Sequence, residues 1–296
     1  MKSDFKNFIY ISVAGFLWGT VSIFTRFMAA HGSSTYYTSF LRVFFGFLIL
    51  FVITCFKEGI RAFIVDGKTL LACFLLGLFT QAFYNIAYCT SINMIGTSMG
   101  AVLLYTAPIF TTIMSVFLFK EKMNRAKYLA LFVNVIGCAL TVTGGHLSGF
   151  SFGVMGVLIG ISAGFFYSLA AIFGRLTSGG ASSWVVTTYN FFFAMIVLGI
   201  FLHPWTTVKT PLSKGLLLAG FSYAIIPTAL AYLVYFTGVQ RIKETSLVPI
   251  AASIEVVSAA AIGFFLFKER LEIGNYLGMI LVLASIVIMN VKKEKQ

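Results

Sequence analysis

Glu255 is the residue of this 296-residue chain best placed to do chemistry. It stands about ten residues inside an apolar run, where a charge costs about 2.5–3.5 kcal/mol on insertion scales. No other acidic residue lies so deep in such a run. It can carry a proton, pair with a cationic ligand, or tie helices together by a hydrogen bond. Its neighbours at helical spacing, Ala251, Ala252, Ser258 and Ala259, are small. That face either packs closely on another helix or borders a cavity. Gln81, Asn85 and Tyr88 recur at i, i+4 and i+7, with Tyr84 beside them. Thr228, Tyr232 and Tyr235 repeat the spacing after Pro227, which removes a backbone donor and predicts a kink. Trp18, Ser22 and Thr25 share a face, Ser98 and Tyr105 lie two turns apart, and Tyr167 adds another ring. Polar stripes inside apolar helices face protein or water, not lipid. The candidate substrate-binding residues are therefore Trp18, Gln81, Tyr84, Asn85, Tyr105, Tyr167, Tyr232, Tyr235 and Glu255. Glu255 is also the candidate coupling group. For each taken singly, interhelical hydrogen bonding is the plain alternative.

The elements that must position these residues follow from composition. Hydrophobic residues make up 59% and charged residues 10%, against roughly 45–50% and about 25% in soluble proteins. So apolar a chain is neither disordered nor a water-soluble domain. Residues 69–119 and 128–174 contain no Asp, Glu, Lys or Arg. A membrane span needs about 20 apolar residues, so each stretch holds two helices. Polar breaks are expected near Ser91-Ile92-Asn93 and Gly144-Gly145-His146. The reading is an all-α membrane protein with ten spans, at about 8–30, 35–56, 69–90, 96–118, 126–143, 152–176, 183–202, 215–239, 245–267 and 273–291. The first apolar run is too long for a signal peptide and is read as an uncleaved span.

Orientation follows the Lys and Arg at the loop ends. With a cytoplasmic N-terminus, the outside segments hold only Lys209, Lys214, Lys268 and Arg270. The remaining loop-end cations then lie inside, and both termini are cytoplasmic in a cell (plasma) membrane. The same bias explains a net charge of +12, so nucleic-acid binding is not expected. Cys55, Cys73, Cys89 and Cys138 lie in apolar runs without metal or disulfide spacing. His31, His146 and His203 fall in outside loops and are read as interfacial. No metal or cofactor is expected.

The chain repeats itself. Thr97-Ser98 matches Thr245-Ser246, and Leu118-Phe119-Lys120-Glu121-Lys122 matches Leu266-Phe267-Lys268-Glu269-Arg270, at one constant offset. The offset also pairs Tyr84 with Tyr232; one residue more pairs Trp18 with Tyr167 and Arg26 with Arg175. The halves, 1–147 and 148–296, each hold five spans. An odd number inserts the two copies in opposite orientations, as inverted repeats that place a site near the midplane.

With its Gly15-Phe16-Leu17-Trp18-Gly19 run, Arg42, Pro108 and the paired Glu121 and Glu269, the repeat resembles the EamA family of the drug/metabolite transporter superfamily. The resemblance covers roughly 10–143 and 153–291. It implies ten helices around a central cavity and transport of small metabolites such as amino acids, often as export. One departure stands out: Val256 occupies the position matching Pro108. A mechanism needing a proline break at both sites is therefore in doubt on sequence grounds, although Pro249 lies two turns earlier.

Several other readings follow from position. Arg26 is expected to snorkel to the interface. Arg42, beside Thr38 and Ser39, is expected to make an ion pair or to snorkel, with a substrate carboxylate as the alternative; Asn190 is its repeat counterpart. Glu121 and Glu269 read as boundary anchors. Gly15/Gly19, Gly156/Gly160/Gly164 and Gly274/Gly278 predict close helix approach. In the last pair, internal packing is preferred to a dimer contact; the expected state is a monomer or weak homodimer.

The function expected is a secondary active transporter, an exporter of amino acids or organic amines working by alternating access. Protons are candidate partners besides the substrate and the lipid bilayer. The membrane potential supplies about 2.3 kcal/mol per charge per 100 mV, enough for roughly fifty-fold accumulation. A channel, facilitator or lipid scramblase is the uncoupled alternative. An enzyme is not expected, because the spans carry no HExxH motif, no histidine and no second deep carboxylate.

Overall fold

Apolar runs closed by polar caps and glycines make ten helices in the computed structural model, which describes residues 2–146, 153–203 and 214–291. In chain order they are α1 (Lys6–Ala30), α2 (Thr35–Glu58), α3 (Gly67–Ile95), α4 (Met99–Phe119), α5 (Arg125–Thr143), α6 (Val154–Leu176), α7 (Ser183–Leu202), α8 (Lys214–Val239), α9 (Thr245–Phe267) and α10 (Ile273–Val291). Nine are long and apolar enough to cross a membrane, and α10 adds a shorter apolar stretch, Ile273–Met289. No strand occurs among the described residues. The chain is thus an all-α membrane protein of two inverted five-helix repeats. The boundary expected between 147 and 148 lies outside the described residues.

Equivalent caps start and stop equivalent helices. Ser34 and Ser182 accept from the amides of Tyr37 at 3.2 Å and Val185 at 3.3 Å, opening α2 and α7. Asp66 opens α3 by accepting from Thr69 N at 2.8 Å and Thr69 Oγ1 at 2.9 Å. The hydrogen bonds from Thr69 hold its carboxyl below the ordinary aspartate value. The recurrent Lys-Glu pair also acquires a physical reason. Lys120 and Lys268 both adopt the left-handed conformation, φ 53° and 57°. The next amides, Glu121 N and Glu269 N, then reach back to Ser115 O at 3.3 Å and Gly263 O at 3.1 Å. This wraps the chain over the end of α4 and of α9.

The expected break near Ser91-Ile92-Asn93 is a correction: α3 stays helical to Ile95 and stops at Gly96, φ 87°. Ser91 is used for packing instead, its hydroxyl donating to Gly156 O on α6 at 3.0 Å.

The small-residue stripes pack within the chain. A Cβ at Gly15 or Gly19 would strike Ala252 or Ser258 of α9, and one at Gly160 would strike Leu103 and Ser91. Gly274 and Gly278 of α10 lie against the backbone of Gly144 and Thr141 on α5, where Asn275 Nδ2 donates to Thr141 O at 2.9 Å. The α10 stripe is an internal seam with α5.

Two helix pairs depart from regular geometry at matching repeat positions. α3 is π-helical over Leu76–Phe83 and α8 over Ile225–Leu230. The α8 turn contains Pro227, as the expected kink requires, and Thr228 Oγ1 donates to Tyr223 O at 2.9 Å. The α3 turn has no proline. α4 breaks between Leu104 and Ala107, ahead of Pro108. α9 breaks between Ala252 and Ile254. Val256 supplies no proline, yet both helices break at the matching position. In α9 the break forms where Ser253 Oγ donates to Ile250 O at 2.7 Å and accepts from Asn134 Nδ2 of α5 at 2.6 Å. The α4 break also has a hydroxyl bonded back, Thr106 Oγ1 donating to Leu103 O at 2.6 Å, so the two differ in that α4 adds Pro108 and α9 adds Asn134.

Candidate functional site

The rings expected to line a cavity converge in the middle of the bundle. Trp18 of α1 packs on Tyr232 at 5.0 Å, Tyr235 at 5.1 Å and Tyr167 at 6.2 Å between centroids. Tyr167 of α6 continues to Tyr84 of α3 at 5.5 Å, and Tyr84 to Tyr88 at 5.8 Å. Phe191 of α7 backs Tyr232 edge-on at 5.2 Å. Such tilted and edge-on pairs suit the ring quadrupole. Tyr84, Tyr88, Tyr105, Tyr167 and Glu255 are surrounded by protein, yet each keeps part of its surface accessible. They gather at the centre of the bundle. Trp18 is buried, and its indole Nε1–H has no hydrogen-bond partner among the described residues.

Glu255 takes its position from the α9 break. It lies in the first turn of the half-helix Ile254–Phe267, where the free amide ends favour a negative charge. Tyr167 Oη donates to Glu255 Oε2 at 3.4 Å, a long contact. One turn on, Ser258 Oγ reaches Phe16 O at 3.3 Å and fastens this half-helix to α1. Tyr105, at the matching break of α4, lies close enough to interact with Glu255.

Across the aromatic cluster stands Arg42 of α2, and here the expectation is corrected. Arg42 neither snorkels nor makes an ion pair: it is 6% exposed, and the ion pairs among the described residues belong to Arg26, Lys127, His146 and Arg175. Its Nη2 donates to Gln81 Oε1 at 3.4 Å and Asn85 Oδ1 at 3.3 Å. Asn85 Nδ2 in turn donates to Gln81 O at 2.5 Å, while Gln81 Nε2 has no partner among the described residues. The guanidinium also lies 5.7 Å from the Tyr223 ring centroid. Gln81 and Asn85 thus belong to an Arg42 cluster, while Trp18, Tyr167, Tyr232 and Tyr235 form the cage. Tyr84 lies within electrostatic reach of Arg42 and Glu255 and packs on Tyr167, so it links the two groups.

Above and below this cluster lie two related polar contacts. On the face where α1 begins and α10 ends, Arg175 Nη1 donates to Glu121 Oε1 at 2.5 Å and Thr245 Oγ1 at 2.8 Å. Glu121 also accepts from Thr245 N at 2.7 Å, Ser246 N at 3.1 Å and Ser246 Oγ at 2.7 Å. A carboxylate from the end of α4 thereby caps the start of α9, across the two repeats. On the opposite face Arg26 pairs with Glu269 and lies 4.3 Å from the Phe267 ring. That pair is open to solvent, with side chains 51% and 42% exposed, against 26% and 6% for Arg175 and Glu121. Glu121 is a cross-repeat clamp, more than a boundary anchor, and Arg26 has a carboxylate partner. The side chain of Ser98 lies outside the described residues.

Two contributors went unnoticed in the sequence. Asn134 donates both amide hydrogens, to Ser253 Oγ at 2.6 Å and Ser285 Oγ at 3.0 Å; a lone Asn in an apolar run was its only signal. The turn at Thr20, whose hydroxyl donates to Leu17 O at 2.6 Å, divides α1 beside Trp18. No group of three or more His, Cys, Asp or Glu side chains that could hold a metal occurs among the described residues.

Ten helices in two inverted halves around a central aromatic and polar cluster are the architecture of a multi-pass membrane transporter. The chain belongs to the EamA-like transporter family, whose model matches residues 6–143 and again 154–291. Similar proteins include an uncharacterized transporter of Archaeoglobus fulgidus, 28% identical over 94% of both chains. The uncharacterized inner membrane transporter YicL of Salmonella typhimurium is 24% identical over 100% of this chain and 99% of its own. The uncharacterized transporter YetK of Bacillus subtilis is 25% identical over 84% of this chain and 76% of its own. A crystal structure with 16% identity superposes with a TM-score of 0.82, covering 98% of this chain and 99% of that one, which supports the fold alone.

Proposed function

We propose that the protein is a secondary active exporter of small amphipathic metabolites, such as amino acids or organic amines, in the cell membrane, with both termini cytoplasmic. The observation that carries this reading is the midplane cage of Trp18, Tyr167, Tyr232 and Tyr235, bordered by Glu255 through its contact with Tyr167. Aromatic faces hold an apolar body and attract an ammonium group. A carboxylate reached through a tyrosine hydroxyl can hold that ammonium or a proton. The buried Arg175–Glu121 clamp closes the terminal face, while its counterpart Arg26–Glu269 is exposed. The form described is therefore read as closed towards the cytoplasm. Transport exchanges these roles between the faces, and proton movement through Glu255 supplies the coupling.

Counterflow tests this in liposomes holding the purified protein, with amino acids and amines as probes and a pH gradient applied or absent. Saturable counterflow, lost in Trp18→Ala, is expected. A pH gradient is expected to drive accumulation in the native protein but not in Glu255→Gln, which keeps gradient-free exchange. Conductive, non-saturating flux insensitive to both substitutions overturns the reading in favour of a channel. Lipid flip-flop without solute exchange overturns it in favour of a scramblase.

A further inference from the structure

Arg42 is a buried cation that no carboxylate pairs among the described residues. Among the described residues the other buried cation, Lys127, has Glu244 at 3.2 Å. A guanidinium stays charged at any accessible pH, and its planar fork matches a carboxylate better than single amide oxygens. What Arg42 has instead is two neutral amide oxygens at 3.4 and 3.3 Å, both longer than ordinary N–H···O bonds, and the Tyr232 hydroxyl within reach. Beside it, Gln81 Nε2 is a second buried donor without a partner, on a side chain 0% exposed. Two donors, one of them charged, thus converge where no anion from the chain arrives. The cluster is continuous with the cage, because Tyr84 interacts with Arg42 on one side and packs on Tyr167 on the other. Glu255 lies beyond Tyr167. The cluster therefore has a positive pole at Arg42 and a carboxyl pole at Glu255, with aromatic rings between. The arrangement is one-sided: Asn190, the repeat counterpart of Arg42, is neutral and buried.

We infer that Arg42, with Gln81 and Asn85, is an anion-binding subsite that takes the carboxylate of a zwitterionic substrate, whose ammonium end lies towards Glu255. This inference rests on the cage being the transport site. One buried arginine matches a single negative charge, so a monoanionic carboxylate fits better than a phosphate dianion. A bound carboxylate would accept from the guanidinium fork and from Gln81 Nε2, replacing the long amide contacts. A simple amine would leave Arg42 uncompensated and would bind less well.

The test uses the full-length protein in liposomes and the proteinogenic L-amino acids, each paired with its methyl ester and its decarboxylated amine. The expected result is that at least one amino acid exchanges ten-fold or more faster than its ester and amine. Arg42→Gln should abolish that gap by lowering the acid to the level of its ester, and Arg42→Lys should keep part of it. Thermal unfolding of the same proteins with each probe gives a second readout independent of transport. Arg42-dependent stabilisation by carboxylates without exchange would keep the anion subsite while sinking the transport reading. Esters or amines exchanged as well as acids would overturn the inference and leave transport intact. Equal losses for acid, ester and amine in both Arg42 variants would reduce Arg42 to a structural role. A panel in which no carboxylate exchanges or stabilises overturns the subsite.

Discussion

Asn134 shows how one buried side chain sets the geometry of the site. Its two amide hydrogens go to Ser253, at the α9 break, and to Ser285 on α10. Its Oδ1 accepts from Cys138 Sγ at 3.9 Å, so both ends of the amide are used. Asn134→Leu should remove two buried hydrogen bonds and leave two hydroxyl acceptors dry, a loss of roughly 1–3 kcal/mol. Thermal unfolding in detergent checks this; an unchanged melting temperature would mean that the break is held by α9 alone. The effect should extend to function, since Glu255 begins the half-helix two residues after Ser253. At this scale the sequence was partly legible. Depth in an apolar run picked out Glu255, and helical spacing picked out the rings that form the cage. Arg42 was read as snorkelling because its position along α2 is near a helix end, whereas its burial depends on which way α2 faces. Asn134 was invisible because its partners lie on two other helices.

The helices themselves carry paired irregularities, and these separate what a residue type dictates from what packing dictates. Pro227 forecast a distortion of α8, and the structure has a π-helical turn there. The equivalent turn in α3 exists without proline, so the distortion belongs to the repeat architecture and proline merely tolerates it. Pro227→Ala should therefore keep the turn, held by Thr228 Oγ1 on Tyr223 O. Counterflow rates should stay within about two-fold and stability within about 1 kcal/mol. A large gain in stability with loss of transport would show instead that proline imposes the turn against a helix that prefers to be regular. The breaks in α4 and α9 make the same point. Pro108 was legible; the α9 break, built from Ser253 and Asn134, was not. By contrast, Gly278→Leu has no such freedom, because its side chain would meet the backbone of Thr141. Separation of α5 from α10 and loss of folded protein are expected, read as a collapse of the monodisperse peak in size-exclusion chromatography.

For the whole molecule, the odd number of helices per repeat makes the Arg175–Glu121 contact on one face the image of Arg26–Glu269 on the other. That much follows from counting. The clamps themselves could not be read from sequence, since Arg175, Glu121 and Thr245 meet only when the two halves are assembled. Their inequality is informative. The Glu121 carboxylate accepts four hydrogen bonds, from Arg175, Thr245 and Ser246, in a largely buried setting, while Arg26 and Glu269 meet in the open. Exposed ion pairs contribute little, about 0–1 kcal/mol, whereas removing one partner of a buried charged network is far more costly. Glu121→Gln should therefore loosen the terminal face much more than Glu269→Gln loosens the opposite one. The measurement places a reporter thiol just beneath the clamp, as Leu247→Cys, in a background without Cys55, Cys73, Cys89 and Cys138. Leu247 is 2% exposed, so a membrane-impermeant maleimide added on the terminal side should label it slowly. Glu121→Gln should raise the labelling rate at least ten-fold, since a loss of about 1.4 kcal/mol shifts an opening equilibrium by that factor. Glu269→Gln should leave the rate within about two-fold. Equal effects of the two substitutions would mean that neither clamp governs the closed face, and that closure rests on the apolar contacts around Leu247 and Val248.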